Sequence, residues 1–413
     1  MPVFSPENPD FASSRFKRPQ QSKPLWPLFV YFSIVAAVAG GALTIYLLTK
    51  KPEPNPPNPE NGGKDDWQRV RELIAVTSPN QERDRRVALD IEKKILSKFP
   101  NHGAVLPISI EGVLPRENLA LSRNGRTFAF VDSGLTAWDL EFMQKKHFAH
   151  RENLSMALSP DGKLCILGGD NLRLWDLEAE KVTKDIAQKF AYKVGFSPDG
   201  KNLVSYLTNE NLFDGRFRRW DVDSGKELSE VPDCSSVQSF AFSPNGTILA
   251  LAKDQNFDGV RIELWDYRSI TKLVTLQPDP QVRTRRLVFS PDGKILALGG
   301  ERGPLAGKTK PYLKLIDLSS EQNHDYSADL ATDVWGLSFS PDGTILAVEQ
   351  AADGTAFFDV SQRKLRKHFR PGVVRHSQFF PGGSLFITVG RMNELDVNDV
   401  IRVWQVSKII EAD

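Results

Sequence analysis

The chain has 413 residues, 40% hydrophobic and 25% charged, an ordinary globular composition that is long enough to bury one or two cores. Its 53 basic side chains balance 52 acidic ones to leave a formal charge of +1, so no overall field recruits nucleic acid. Cys165 and Cys234 are the only cysteines, too few for a disulfide framework and without the paired spacing of a thiolate zinc site.

Residues 1–23 mix Pro, Ser, Asn and basic side chains without apolar periodicity and read as a disordered tail. The next segment, 24–49, "PLWPLFVYFSIVAAVAGGALTIYLLT", carries no charge. As a helix it would be roughly 39 Å long at about 1.5 Å per residue, enough to span a hydrocarbon core of about 30 Å with some tilt. Trp26, Tyr31 and Tyr46 lie toward its ends, where amphipathic rings favour the interface. A cleaved signal peptide is the competing reading, since Ala37 to Ala39 resemble a cleavage site, but the apolar run continues to Leu48. Arg15, Lys17, Arg18 and Lys23 precede it and only Lys50 and Lys51 follow directly, which places the N-terminus in the cytoplasm and the bulk of the chain outside. The expectation is a single-pass anchor, with Ala36/Gly40 and Ala37/Gly41 as small-residue pairs through which two copies could approach.

Residues 50–65 form a proline-rich spacer, extended and semi-stiff until Gly62-Gly63. Residues 66–100 read as two helices. Asp66 is the expected cap of the first, whose stripe is Trp67, Val70, Leu73 and Ile74. Ser78, with Pro79 behind it and Gln81 three residues on, is the expected capping box of the second, whose stripe is Val87, Ala88, Ile91, Ile95 and Phe99. Those stripes call for burial against the next domain or against a partner's copy, a second route to a homodimer.

From 101 to 413 the chain repeats itself. Turns ending at Gly125 ("SRNG"), Gly162, Gly200, Gly246, Gly293, Gly343 and Gly383 ("FPGG") recur at intervals of 37 to 50 residues, mostly as "SPDG" or "SPNG". Three residues beyond each glycine stands an apolar side chain: Phe128, Cys165, Leu203, Leu249, Leu296, Leu346 or Phe386. Before each turn a bulky residue alternates with a mostly small one, Ala120, Ala157, Gly195, Ala241, Val288, Ser338 or Gln378, as expected of a crowded inner strand facing a channel. A later strand in each unit reads "TAWDL", "LRLWDL", "FRRWDV", "IELWDY", "LKLIDL", "AFFDV" or "IRVWQV", and Trp138, Trp175, Trp220, Trp265 and Trp404 share one slot.

Ser-Pro-Asp-Gly hairpins followed by Leu-Trp-Asp strands resemble the WD-repeat family, whose members form β-propellers. The resemblance implies an all-β fold, a seven-bladed propeller of four-stranded antiparallel blades, preceded here by the transmembrane helix and the short helical segment. The Gly-His dipeptide typical of that family is missing, which puts its His-centred hydrogen-bond network in doubt here. The chain ends just after the third strand of the last unit, so "AVLPISI" at 104–110 is expected to supply that blade's outer strand and close the ring.

Function must be argued from sites, since propellers carry many. The connections between second and third strands are long in four units: 208–216, 254–260, 301–311 and 391–400. Repeated topology puts them on one face, and loops on a rigid scaffold are the usual carriers of binding. Candidate partner-binding residues there are Asn209, Asn211, Phe213, Asp214, Arg216, Phe257, Arg302, Lys308, Lys310, Asn393 and Asp396. Asp254, Asn256 and Asp258 before Gly259 match the first half of a calcium loop. The later ligand is missing, however, because Trp265 stands in its place and only Glu263 is near, so an Asp-Gly hairpin explains the motif without metal. His147 and His150 read as solvated residues between blades, and the basic runs at 283–286 and 363–370 as solvated stretches on outer strands or linkers, with binding of an acidic partner or anionic lipid headgroups as the alternative.

No HExxH, GxSxG, P-loop or paired-cysteine motif occurs. The sequence therefore leads to a membrane-anchored interaction scaffold that is not an enzyme, carries no cofactor, and binds a protein or peptide through the long loops of blades 3 to 5. Two alternatives stand beside it: a propeller enzyme of quinoprotein or lactonase type, and a sensory or assembly subunit of a larger complex.

Overall fold

The computed structural model describes residues 63–410 apart from 102, 111–118, 132–133, 149–154, 170, 187–190, 208–214, 233, 235, 255–258, 277–279, 305–307, 352 and 392–397. The chain divides into two compact units, Met1–Asn58 and Pro59–Asp413, and the described residues belong to the second. The tail, the apolar segment 24–49 and most of the spacer lie outside them. Among the described residues no helix is long and apolar enough to cross a membrane.

Seven four-stranded sheets are formed by the described residues, each a meander ordered from an innermost to an outermost strand. The seventh departs from this in one way: its outermost strand, Ala104–Ser109, comes from the start of the repeat region and pairs antiparallel with Val400–Gln405. The expected closure is therefore formed, and blades 1 and 7 are joined by hydrogen bonds between the two ends of the repeat region.

The repeated turns explain themselves chemically. Their seven glycines have φ between 71° and 98°, where a Cβ is strained. In the turn of blade 5, Ser290 Oγ donates to Asp292 Oδ1 (2.6 Å) and accepts from Ile295 N–H (2.9 Å), while Asp292 Oδ1 accepts from Lys294 N–H. The same exchange recurs at Ser159/Asp161, Ser197/Asp199, Ser243/Asn245 and Ser340/Asp342. Neighbouring turns also touch: a Cβ on Gly200, Gly246, Gly293, Gly343 or Gly383 would sit 3.3–3.6 Å from the proline of the preceding turn. The apolar residues three positions later are buried in every blade, Cys165 among them, and burial pushes that thiol well above its ordinary pKa.

The Asp after the Trp slot serves its own turn. Asp139, Asp176, Asp221, Asp266, Asp317 and Asp359 each accept backbone N–H groups two or three residues on, in Asx-type turns. Four residues past each Asp the backbone enters the left-handed region, at Met143, Glu180, Gly225, Ile270, Glu321 and Arg363. No histidine is needed in this arrangement. His147, expected in a linker, lies instead on the outermost strand of blade 1, Gln144–Phe148, with Nδ1 3.0 Å from Thr136 Oγ1.

Helices α1 (Lys64–Ile74) and α2 (Pro79–Lys98) cover the face that carries the repeated turns. Trp67, Val70, Leu73 and Ile74 pack with Ile248, Leu273, Val274 and Phe289 of blades 4 and 5, and Asn245 Nδ2 donates to the carbonyls of Leu73 and Val76. Ala88, Ile91 and Ile95 pack where blades 7 and 1 meet, on Leu106, Phe128, Phe380 and Leu385. The stripes are thus buried within one chain, except that Val87 is exposed and Phe99 half-buried.

The cap of α1 differs from the expected one, whereas Ser78 caps α2 as expected but without its box. Gly63 is the N-cap of α1, and Asp66 sits a turn inside it, accepting the Gly63 N–H at 2.9 Å. Ser78 occupies the N-cap of α2 without a side-chain bond, because Gln81 reaches away to the Pro291 carbonyl of blade 5 at 2.8 Å. Docking on the propeller has taken the side chain that a free helix would have used for its own end.

The two turns that depart most from the repeat are those that receive α2. Arg123, in the proline slot of blade 1, faces Asp84 at 3.6 Å and donates to the carbonyls of Pro198 (3.5 Å) and Pro244 (3.2 Å) in blades 3 and 4. Glu92 is fully buried and accepts from the N–H groups of Gly383 (3.0 Å) and Ser384 (3.1 Å) and from Ser384 Oγ. A Cβ on Gly382 would strike the Glu92 carboxylate, so the second glycine of "FPGG" makes room for it.

Two outcomes follow from these contacts. Glu92→Ala removes the acceptor of the Gly383 and Ser384 N–H groups and empties the space of a fully buried side chain, and is expected to cost about 2 kcal/mol in urea denaturation. Asp359→Ala is expected to cost about 2 kcal/mol at neutral pH and progressively less toward acid. The backbone bond from Gln362, opposed by burial and helped by Ser361 and Arg366, holds the Asp359 carboxyl down to about 2. Its contribution is complete above the unfolded value of about 3.9 and is lost as pH falls through the folded one. A gap between wild type and variant that is constant from pH 6 to pH ~2.5 would contradict that role.

Candidate functional site

In each blade the repeated turns and the connections between third and fourth strands lie at one end of the strands, on the face the helices cover. Connections between second and third strands lie at the opposite end, so the four long ones share the face away from α1 and α2. Strand pairing runs further into them than the sequence suggests. Leu207 pairs with Arg216, Asp254 with Val260, Arg302 with Lys310, and Gly390 with Val400.

Asn209, Asn211, Phe213, Asp214, Asn256, Phe257, Asp258, Asn393 and Asp396 lie outside the described residues. Arg216 opens a strand, Arg216–Asp221, and is exposed, 3.7 Å from Glu230. Arg302 closes another, Ile295–Arg302, with its guanidinium 5.0 Å from the Tyr312 ring centre and 3.7 Å from Asp325. Lys308 and Lys310 are exposed. Asp254 ends the strand Ile248–Asp254. Glu263, the carboxylate expected nearest the missing calcium ligand, is buried and engaged by Lys253 Nζ (3.2 Å) and Trp265 Nε1 (3.1 Å). It completes a protein-only network.

The basic run at 283–286 is not on an outer strand or linker. It lies on the innermost strand of blade 5, Val282–Phe289. Arg283 and Arg285 reach Glu301 at 3.0 and 2.9 Å, and the Arg285 guanidinium stacks 3.9 Å from the Trp335 ring centre in blade 6. Burial works against the charge of Glu301, but Arg285 and Arg283 outweigh it and hold its carboxyl below the ordinary range. Burial and the adjacent Glu301 push Asp333 the other way, and Asp333 accepts from Thr309 Oγ1 at 3.1 Å. This network ties the base of the blade 5 connection to blade 6. The other basic run, 363–370, lies on the outermost strand of blade 6, Lys364–Phe369, as expected.

Along the axis of the ring lies a cavity of about 310 Å³. Its polar wall comes from Ser155, Lys193, Ser239, Arg286, Glu349, Arg375, His376 and Gln378, with Trp335 and Phe240 among its apolar neighbours. Of the seven channel-facing positions chosen from sequence, only Ser338 and Gln378 line it. Ser155, Lys193, Ser239, Arg286, Gly336 and His376 stand two residues earlier in their blades than the positions chosen. A strand shows every second residue to the same side, so counting one step further back from each turn glycine would have found this polar ring. Between blades 3 and 7 each innermost strand also carries a register shift near this point, and Arg285, Trp335 and Arg375 occupy the same shifted slot in blades 5, 6 and 7.

No family model matches the chain. Among curated proteins it is 25% identical over 220 residues to telomerase protein component 1 of Rattus norvegicus, a stretch that is 51% of this chain and 7% of that protein. The chain thus spans a small fraction of that relative's length. Among solved structures it is similar to hydrazine synthase of Kuenenia stuttgartiensis, with a TM-score of 0.60 at 14% identity over 72% of this chain and 98% of that one. It is also similar to the β-propeller domain of Cps50 (Swd1) of Myceliophteria thermophila, with a TM-score of 0.56 at 13% identity over 74% of this chain and 99% of that one. At these identities the likeness is one of fold, and the two proteins named differ in kind, so neither transfers a function.

Because Glu263 is already engaged by Lys253 and Trp265, calcium added in excess over chelator is expected to leave the melting temperature unchanged. A calcium-dependent rise would give the connection after Asp254 a metal.

Proposed function

We propose that this protein is a membrane-anchored interaction scaffold whose propeller binds a protein or peptide on the face away from α1 and α2. The observation that carries the reading is the asymmetry of the two faces. One is occupied by the chain's own helices. The other bears long connections in three consecutive blades, 3 to 5, held on strands whose register is fixed. Binding on this reading is multivalent surface complementarity, without chemistry or a cofactor. The uncharged segment 24–49 supplies the anchor, with the N-terminus cytoplasmic and the propeller outside, and a sensory or assembly subunit would differ only in the identity of its partner.

A propeller enzyme of quinoprotein or lactonase type needs ligands converging in the channel. The described lining offers one histidine, His376, and one carboxylate, Glu349, which already accepts the Ser377 N–H at 3.1 Å.

Affinity purification of the full chain should recover a partner that is lost when the connections at 208–215, 255–259 and 303–309 are shortened to tight hairpins. Equal recovery would remove the long-connection face from consideration. In sealed vesicles, protease added from the extracytoplasmic side should digest the propeller, and digestion only from the cytoplasmic side would reverse the topology.

A further inference from the structure

We propose that the axial cavity is a socket for carboxylate side chains of an acidic peptide segment, entered from the long-connection face. The proposal rests on the function proposed above and names the chemistry of its partner.

Arg123 spans the turn face from blade 1 to the carbonyls of Pro198 and Pro244, and Asp84 of α2 pairs with it. The long connections leave from the opposite face, the side where the innermost strands begin.

Its wall favours negative charge. Lys193, Arg286 and Arg375 line it together with His376, against the single carboxylate of Glu349. Arg375 faces the buried Asp399 at 3.4 Å, and Glu349 takes the backbone N–H of Ser377. Arg286 is half-buried and forms no hydrogen bond or ion pair with another described residue, unlike Arg283 and Arg285 on the same strand. A half-buried cation is poorly hydrated, so an anion brought to it gains more than one at the open surface.

The positive charge continues outward along the same blade. Lys308 and Lys310 stand exposed on the connection of blade 5, whose innermost strand carries Arg286. The net charge of the whole chain is +1, so this is a local field. A free anion would use the cavity alone, whereas cations that run from cavity to rim suit an extended acidic chain with one side chain inserted and others along the connection. A volume of about 310 Å³ takes short side chains and excludes a folded element.

The test is fluorescence anisotropy of labelled hexaglutamate, hexaserine and hexalysine with the full-length protein in nanodiscs of neutral lipid. Hexaglutamate alone should bind, more weakly as salt is raised. Arg286→Gln and Lys193→Gln should each weaken it about tenfold and Arg286→Lys much less, while Lys308→Glu with Lys310→Glu, both exposed, should weaken it without touching the fold. Hexaglutamate binding no better than hexaserine, or unchanged in both Arg286→Gln and Lys308→Glu/Lys310→Glu, would overturn the proposal. So would citrate binding to the cavity without hexaglutamate competing, since the socket would then take small anions. If Arg286→Gln and Lys193→Gln keep the partner that the shortened-connection variant loses, the socket fails while the interaction scaffold stands.

Discussion

The hydrogen bonds between Ala104–Ser109 and Val400–Gln405 join segments almost three hundred residues apart in sequence, and the rest of the molecule depends on them. Without that pairing, blade 7 ends on an unpaired strand and blade 1 has no packed neighbour on one side, leaving open edges. With it, every inner strand is held by neighbours on both sides, the turns on one face come into contact, and an axial cavity exists. The cost is the entropy of closing a very long loop, which rises only slowly with length. Helix α2 lies over this seam, with Ala88, Ile91 and Ile95 against Leu106, Phe128 and Phe380. Glu92 binds the backbone of the blade 7 turn from the same helix.

The helical cap also makes the two faces unlike. On its side, side chains are spent on internal bonds: Gln81 on Pro291, Asn245 on α1, and Arg123 on Asp84 and two carbonyls. On the other side, Arg286 lines the cavity without a hydrogen bond or ion pair to another described residue. Asp84 and Glu92 are buried between packed helix and turn, where an unpartnered charge would be costly. Arg286 is half-buried in the wall of the axial cavity.

Much of this was legible from a single chain because propeller blades repeat. Position relative to the turn glycine identifies core residues without any structure, and all seven apolar slots three residues later are buried. The same count, carried back rather than forward, would have placed Arg286 in register with Lys193 and His376 on the axis. Reading "RTRR" as a charged run instead assigned it to the surface, since composition over a window ignores which side of a strand each residue faces. The connections are shorter than their polar sequence suggests, because strand pairing continues through polar residues such as Asp254 and Arg302 when the backbone partner is in place.

By itself the sequence determined what local chemistry can determine: Ser-Pro-Asp-Gly turns that close on their own side chains, Asp residues that serve their own N–H groups, alternating strands, amphipathic helices, and a first strand left over for the last blade. All but the last are decided within a few residues of themselves, and the last follows from counting the strands of the repeat. Only the tertiary structure decided where the helices dock, why the turns of blades 1 and 7 break the pattern, and which basic residues face the axis. Those depend on groups brought together from across the ring, such as Arg123 with Asp84 or Glu92 with Ser384, and no local period in the chain encodes which distant partner a side chain will meet.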